Sequence, residues 1–426
     1  MKNVYLYTLG CKVNQYETEA LAELFCDAGF SIVNDPAKAQ VIIVNSCTVT
    51  ANSDQKTRQA VRRFKRNNPD SIVVLCGCMP QAYPSKAAEL LEADIITGNK
   101  DHKLILSLVN SFDGEQVISI PEHKKGDAFE EFEVENFNGR TRAFIKIQDG
   151  CDRFCSYCII PTSRGRSRSR SLENLSVELD KIRDAGYKEV VLVGINFCCY
   201  GLDIGRTFVD PIELACQKGF ERVRIGSLEY DNISDEAIER LKKLPNFCPQ
   251  FHMSLQSGCD KTLRDMNRHY TSEEYLALCN KLRNAFPDTT ITTDLMVGFA
   301  GETDEDFEES LSFARRVGFE KIHVFPYSER PGTNALKIEP KVAPNVQNER
   351  THRAIKLASE LRHDFLSKQV GHTVNVLCET YEDGFVSGYT ENYTPVKFKS
   401  DAPLCNDIVS VAIIKAEDDF VIGERV

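Results

Sequence analysis

The 426-residue sequence predicts an α/β protein in three parts. These are an N-terminal doubly wound parallel α/β domain, a central partial (β/α)6 barrel and a small C-terminal all-β barrel. Three observations carry this reading. Short β-branched runs alternate with helical stretches through residues 1–112, and such alternation implies a parallel sheet with helices on both faces. Six further strand candidates, with helical segments between them, lie between about 140 and 335, a pattern that suits β/α units closing into a barrel. From about residue 367 the strands shorten and are parted by Gly, Asp and Asn. The expected boundaries are 1–112, a linker at 113–137, 138–366 and 367–426.

The elements follow in order. Val4–Thr8, Val41–Asn45 and Ile72–Leu75 read as buried strands. Thr18–Gly29 reads as a helix with a glycine stop, and Asp54–Asn67 as a helix with Asp54 as its N-cap. Residues 121–136 hold six acids and two lysines without periodicity, which reads as a linker. The barrel strands are Ala143–Ile147, Glu189–Val193, Arg222–Ile225, Phe251–Ser254, Ile291–Val297 and Lys321–Phe325. Asn345–Lys368 reads as one long polar helix. Thr373–Thr380, Gly384–Tyr389, Thr394–Phe398 and Ile408–Ile414 form the last module.

Composition narrows the function. Lys+Arg 52 against Asp+Glu 63 gives −11, so any nucleic-acid contact has to be a local patch. Apolar runs such as Val41–Val44 and Ile72–Leu75 fall far short of a bilayer span, and the N-terminus carries no export signal. A cytoplasmic protein without a membrane segment is expected. Thiols stay reduced there, so sixteen cysteines point to buried small residues and to ligands rather than disulfides. Cys26, Cys216, Cys248, Cys279, Cys378 and Cys405 are expected to be the buried ones.

The sharpest motif is CDRFCSYC, which spaces Cys151, Cys155 and Cys158 as C-x3-C-x2-C on the loop after the first barrel strand. Structural zinc wants four ligands, and no fourth Cys or His follows at finger spacing. Three thiolates instead hold three irons of a 4Fe–4S cube and leave the fourth open. Cys11, Cys47 and Cys78 are far apart in sequence, yet each lies within about three residues of a predicted strand's C-terminal end. In a parallel sheet those ends share one edge, so the three thiols can converge. The competing reading makes Cys47 and Cys78 buried small residues, and Cys76 is an alternative ligand.

The CDRFCSYC loop resembles the signature of the radical S-adenosylmethionine enzymes. The resemblance implies that S-adenosylmethionine chelates the open iron and is cleaved to a 5′-deoxyadenosyl radical. TLGCKVNQYET, NSCTVTANSDQKTRQ, RTRAFIKIQDGCDRFCSYCIIP, RGRSRSR, FHMSLQSGCDKTLRDMNRHYT and DLMVGFAGET resemble the methylthiotransferase branch over essentially the whole chain. That branch ends in a β module called the TRAM domain. The first two segments look like the group acting on threonylcarbamoyladenosine in tRNA. This implies two 4Fe–4S clusters, an auxiliary one on Cys11, Cys47 and Cys78 and a radical one on Cys151, Cys155 and Cys158. It further implies methylthiolation at adenine carbon-2 of position 37, a sulfur donor, and an electron donor such as flavodoxin or ferredoxin. The alternatives are isopentenyladenosine tRNA, a ribosomal-protein aspartate, or a non-catalytic iron–sulfur or zinc RNA-binding protein.

Asn196, Ser254, Gln256 and Asp294 lie at or near strand ends on the catalytic face and are candidates to line the S-adenosylmethionine pocket; the alternative is satisfied core polar groups. Two basic runs are candidates for tRNA phosphates: Arg62 and Arg63 on the second helix, and Arg164, Arg166, Arg168 and Arg170 after the cluster loop. The β module is acidic, with five Lys/Arg and ten Asp/Glu over 367–426, which weakens its claim on RNA.

Overall fold

The computed structural model describes residues 2–135, 137 and 139–426. Asn136 and Asn138, at the end of the expected linker and the start of the expected barrel domain, lie outside the described residues. The first sheet contains β1 (Asn3–Thr8), β2 (Ser31–Ile32), β3 (Val41–Ser46), β4 (Ile72–Gly77), β5 (Ile95–Thr97) and β6 (Val117–Ser119). All pair in parallel, in the order β2-β1-β3-β4-β5-β6. The winding direction reverses between β1 and β3, and a crevice opens at the C-terminal strand ends beside such a switch. Every residue of β3 is buried, as expected for a central parallel strand.

Several local expectations are corrected. The first helix runs Lys12–Asp27, starting directly after Cys11 rather than at Thr18. The second runs Ala51–Asn67, and its cap is Thr50, whose hydroxyl accepts from the Ser53 amide at 3.1 Å. Asp54 is drawn away from capping because Thr48 and Arg330 hold it, at 2.6 and 2.5 Å. β6 lies inside the expected linker; alignment of Ile95 with Val117 makes it an edge strand.

The barrel is built from β7 (Arg142–Asp149), β8 (Arg168–Ser169), β9 (Glu189–Gly194), β10 (Arg222–Ile225), β11 (Ser227–Leu228), β12 (Gln250–Met253), β13 (Thr290–Val297) and β14 (Lys321–Pro326). β10 and β11 are one run interrupted at Gly226. The first half pairs with β9 and the second with β12, which leaves six parallel strand positions in a partial barrel. β8, absent from the sequence reading, pairs antiparallel with the end of β7. The long helix Pro344–Lys368 follows β14.

The C-terminal module closes as a barrel of β15 (Thr373–Glu382), β16 (Phe385–Tyr389), β17 (Pro395–Lys399), β18 (Ile408–Ala416) and β19 (Val421–Arg425). β19 escaped the sequence reading. The module seats on the N-terminal ends of the barrel strands. Arg222 donates to the Tyr389 carbonyl at 2.9 Å, Arg224 to that of Glu391 at 2.9 Å, and Thr290 to that of Asn392 at 2.6 Å.

A buried charge cluster joins the first domain to the barrel. Glu17 accepts from Lys146 at 2.7 Å and from Arg164 at 2.8 Å. Asp149 accepts from Lys146 at 2.8 Å and from Arg164 and Arg168, both at 3.0 Å. Burial alone would raise the Glu17 carboxyl, but Arg164 and Lys146 reverse this and lower it to about 2. A carboxyl depressed in the folded state stabilises the fold above its ordinary 4.5 and loses that contribution as pH falls towards 2. Glu17→Gln is expected to destabilise the protein by about 3–5 kcal/mol at pH 7, because two buried cations lose a countercharge. Denaturant titrations of the variant between pH 7 and pH 3 should also show a shallower acid loss than wild type.

Gly77 closes β4 at φ +94, where a Cβ would stand 2.5 Å from Asn45 Oδ1 and 2.6 Å from the Ser46 backbone. Gly77→Ala is expected to cost on the order of 1–3 kcal/mol in backbone strain alone, read as a lower urea midpoint.

Candidate functional site

The N-terminal crevice gathers three distant cysteines. Cys11 follows β1, Cys47 follows β3 and Cys78 follows β4. Gly10, at φ +116, presses the first loop onto the second, since a Cβ there would stand 2.8 Å from Cys47 Cβ. Cys11 Sγ donates to Asn14 Oδ1 at 3.2 Å, and Asn99 Nδ2 donates to Cys78 Sγ at 3.6 Å. Burial pushes the Cys78 thiol up to about 12; Arg164 opposes this, and the neighbouring Cys47 and Cys11 add to it. The surroundings of the Cys11 sulfur raise it too, against Arg164 and Asn14, although the residue as a whole is exposed. Cys76 is fully buried, and its thiol donates to the Val44 carbonyl at 3.6 Å within the sheet.

Among the described residues, no three His, Cys, Asp or Glu side chains stand close enough to ligate a single ion. An iron–sulfur cube differs from a single ion in that each ligating sulfur takes a different iron. The donor set suits a cube: buried thiolates need nearby positive charge, which Arg164 supplies in part and a metal cluster would supply in full.

The second triad lies on the loop after β7. Phe154 turns through φ +51, so Cys155 and Cys158 can return towards Cys151. The loop is pinned by Ser156, whose amide donates to the Met266 carbonyl at 2.9 Å. Each thiol sulfur has a donor. Cys151 receives the Arg153 amide at 3.5 Å and Asn196 Nδ2 at 3.6 Å; Cys155 receives Arg268 Nη1 at 3.6 Å; Cys158 receives the Ile160 amide. These donors suit sulfurs that carry negative charge once metal binds. Arg268 is itself held by Glu229, Tyr270 and the Ser254 carbonyl.

A cavity of about 180 Å3 adjoins Cys158 and is walled by Tyr157, Gln256, Asp294 and Met296. Val49 and Thr50, just beyond Cys47, wall it too. The cavity therefore touches the second triad at Cys158, and the first domain reaches it through the two residues Val49 and Thr50 that follow the Cys47 loop. Gln256 Oε1 and Asn196 Oδ1 are buried without a partner, a state that costs free energy unless a ligand donates to them. Ser254 lines neither this cavity nor the larger one below it, although its carbonyl holds Arg268.

The basic run after the cluster loop is corrected. Arg164, Arg168 and Arg170 are buried, not phosphate-facing. Arg164 and Arg168 belong to the charge cluster, and Arg170 pairs with Glu178 and donates to the Phe132 carbonyl at 2.9 Å. Arg166 is exposed beside Asp152; Arg62 and Arg63 are exposed on the second helix, Arg62 beside Glu92. Cys26 and Cys405 are exposed rather than buried, and Cys216 is half-buried. The sequence reading missed Asn14, Glu17, Asp149 and Arg268. Arg268 sits in the quoted DMNRHYT run, but nothing local marks it as a sulfur donor.

A partial β/α barrel bearing C-x3-C-x2-C on its first loop defines the radical S-adenosylmethionine class. Residues 145–314 match the Radical SAM superfamily, and residues 3–98 match the uncharacterised protein family UPF0004. Threonylcarbamoyladenosine tRNA methylthiotransferase MtaB of Bacillus subtilis (strain 168) is 39% identical across 100% of this chain and 97% of its own length. Its counterpart in Thermotoga maritima is 36% identical with the same coverage. The tRNA-2-methylthio-N(6)-dimethylallyladenosine synthase of B. subtilis is 34% identical, over 100% of this chain and 86% of its own. The chain belongs to the family of radical S-adenosylmethionine methylthiotransferases, which use S-adenosylmethionine and [4Fe-4S] clusters. In fold it resembles the radical S-adenosylmethionine methyltransferase TsrM of Kitasatospora setae, with a TM-score of 0.56 at 13% identity, covering 91% of this chain and 77% of that one.

Two separate triads predict two separable metal contents. Anaerobically reconstituted wild type should hold about eight irons per chain, and Cys47→Ala and Cys155→Ala about four each. Iron assay and electron paramagnetic resonance of the two variants should give different residual cluster signals.

Proposed function

We infer that this chain methylthiolates carbon-2 of N6-threonylcarbamoyladenosine at position 37 of tRNA. The observation that carries the reading is a cavity beside Cys158 whose wall is completed from the N-terminal domain by Val49 and Thr50, close in sequence to Cys47. It is supported by full-length relatives named for threonylcarbamoyladenosine tRNA. An aromatic C–H with neither an acidic proton nor a leaving group gives acid–base catalysis no purchase. When bound, S-adenosylmethionine and the two clusters supply one-electron chemistry and sulfur.

Cys151, Cys155 and Cys158 hold one cluster, and Cys11, Cys47 and Cys78 the other. Asn196 and Gln256 orient S-adenosylmethionine through their free oxygens, Asp294 closes the same pocket, and the Ser254 carbonyl fixes Arg268 against Cys155. Tyr157, packed edge-on against Phe299 at 6.3 Å, helps exclude water. The exposed Arg62, Arg63 and Arg166 are the candidates for tRNA phosphates. The division of labour follows the expected boundaries, with the auxiliary domain at 1–112, the radical domain at 138–366 and the TRAM module at 367–426. A sulfur donor and a flavodoxin- or ferredoxin-type electron donor complete the system in the cytoplasm. No helix among the described residues is long and apolar enough to cross a membrane.

The test is nucleoside mass spectrometry of tRNA from a deletion strain. The methylthio form of threonylcarbamoyladenosine should disappear and return with wild type, but not with Cys47→Ala or Cys155→Ala. Loss of methylthio from isopentenyladenosine instead would reassign the substrate. With purified protein, Cys47→Ala should still cleave S-adenosylmethionine, and Cys155→Ala should not.

A further inference from the structure

The barrel holds a second, larger cavity of about 470 Å3 in its lower lumen. Lumen-facing residues of successive strands set its height: His252, Thr292 and His323 line it, while Met296 and Phe325, further along β13 and β14, line the cavity beside Cys158. Asp294 lines both. Lys12, bonded to Cys11, reaches the lower cavity from the first domain. One wall residue is therefore shared with the radical site and another is adjacent to the auxiliary triad. The C-terminal module closes the floor with Tyr389 and Tyr393, whose rings stack at 4.5 Å.

The charged groups of this cavity are unevenly engaged. Both wall carboxylates are taken. Asp294 faces His252 Nε2 at 3.2 Å; Glu320 pairs with Arg283 at 3.1 Å and accepts from the Ile291 amide at 2.6 Å. Arg362 donates to the Glu320 and Asp419 carbonyls, at 3.3 and 3.1 Å. Lys12, Lys321 and His323 have no hydrogen-bond or ion-pair partner among the described residues. Lys12 Nζ instead lies over the Phe144 ring at 5.7 Å, and the His323 ring faces that of His252 at 5.7 Å. Lys321 and His323 are exposed and Lys12 is half-buried, so these unpaired basic groups give a solvent-open polar cavity a positive rim that favours an anionic ligand.

We propose that this lower cavity binds the threonylcarbamoyl substituent of the target nucleoside, with Lys12 and Lys321 receiving its carboxylate and His323 its hydroxyl. The proposal rests on the substrate reading above. The substituent is joined at N6 on carbon-6, and the ring nitrogen N1 separates carbon-6 from carbon-2. Anchoring it in the lower lumen therefore leaves carbon-2 towards the upper cavity beside Cys158, across the shared wall residue Asp294. A neutral aliphatic substituent offers the ammonium groups no countercharge, so the same cavity discriminates against it.

The test uses reconstituted full-length enzyme and anticodon stem-loops carrying threonylcarbamoyladenosine or its carboxamide analogue. Binding is read by fluorescence anisotropy, with iron content measured on each sample. Wild type should prefer the carboxylate by about tenfold, the expectation for a charge-assisted hydrogen bond. Lys321→Met and Lys12→Met should each reduce that preference, and the double variant should bring it near unity. Lys321 is remote in sequence from the cluster ligands, so its variant stays decisive if Lys12→Met loses iron. A preference undiminished in Lys321→Met, at wild-type iron content, would overturn the cavity assignment alone. A wild-type enzyme that leaves the threonylcarbamoyl stem-loop without methylthio would overturn the substrate reading, and the cavity assignment with it.

Discussion

The structure depends on a buried cluster of charges between two domains. Glu17 and Asp149 carry the negative charge; Lys146, Arg164 and Arg168 carry the positive. Desolvating so many ions costs nearly as much as their attraction returns, so the cluster is a poor source of net stability. Its contribution is registry. Glu17 belongs to the first helix and the others to the barrel, and their hydrogen bonds are satisfied in one relative placement of the two. Arg330, reaching from beyond β14 to Thr48 and Asp54, makes the second clamp.

Registry matters because the chemistry needs two metal sites on one substrate atom. Neither domain holds both triads. The β1/β3 switch point offers one set of strand ends and the barrel mouth offers the other, and the charge cluster fixes how the two domains sit together. Arg164 couples the two roles, since it joins the salt-bridge cluster and also donates to Asn14, the partner of Cys11. A guanidinium held there by two carboxylates keeps positive charge beside Cys11 and Cys78 whether or not metal is present.

Much of the fold was legible along the chain. Buried parallel strands are continuous β-branched runs, so β3, β4, β9 and β13 stand out by composition alone. Short edge strands do not: β2 has two residues, β6 three, and both owe their existence to a neighbour's free edge. Helix starts were misplaced for a related reason. Asp54 is a sound cap by residue type, yet Arg330, 276 positions away, claims its carboxylate. The arginine run 164–170 reads as a solvated basic strip, but its acidic partners Glu17, Asp149 and Glu178 come from other segments.

The sequence alone determined the class of chemistry. C-x3-C-x2-C is a local spacing, and three thiols on one loop need no tertiary information to be recognised as cluster ligands. The positions of Cys11, Cys47 and Cys78 just past three strands were also readable, because parallel strands end on a common edge. Which side chains serve those sulfurs was decided only by the tertiary structure. Asn196 and Arg268 touch Cys151 and Cys155 across 45 and 113 residues of chain, and Lys12 enters the lumen of a barrel it does not belong to. Hydrogen bonds and electrostatic fields act over a few ångströms of space, and only folding sets those distances between residues so remote in sequence.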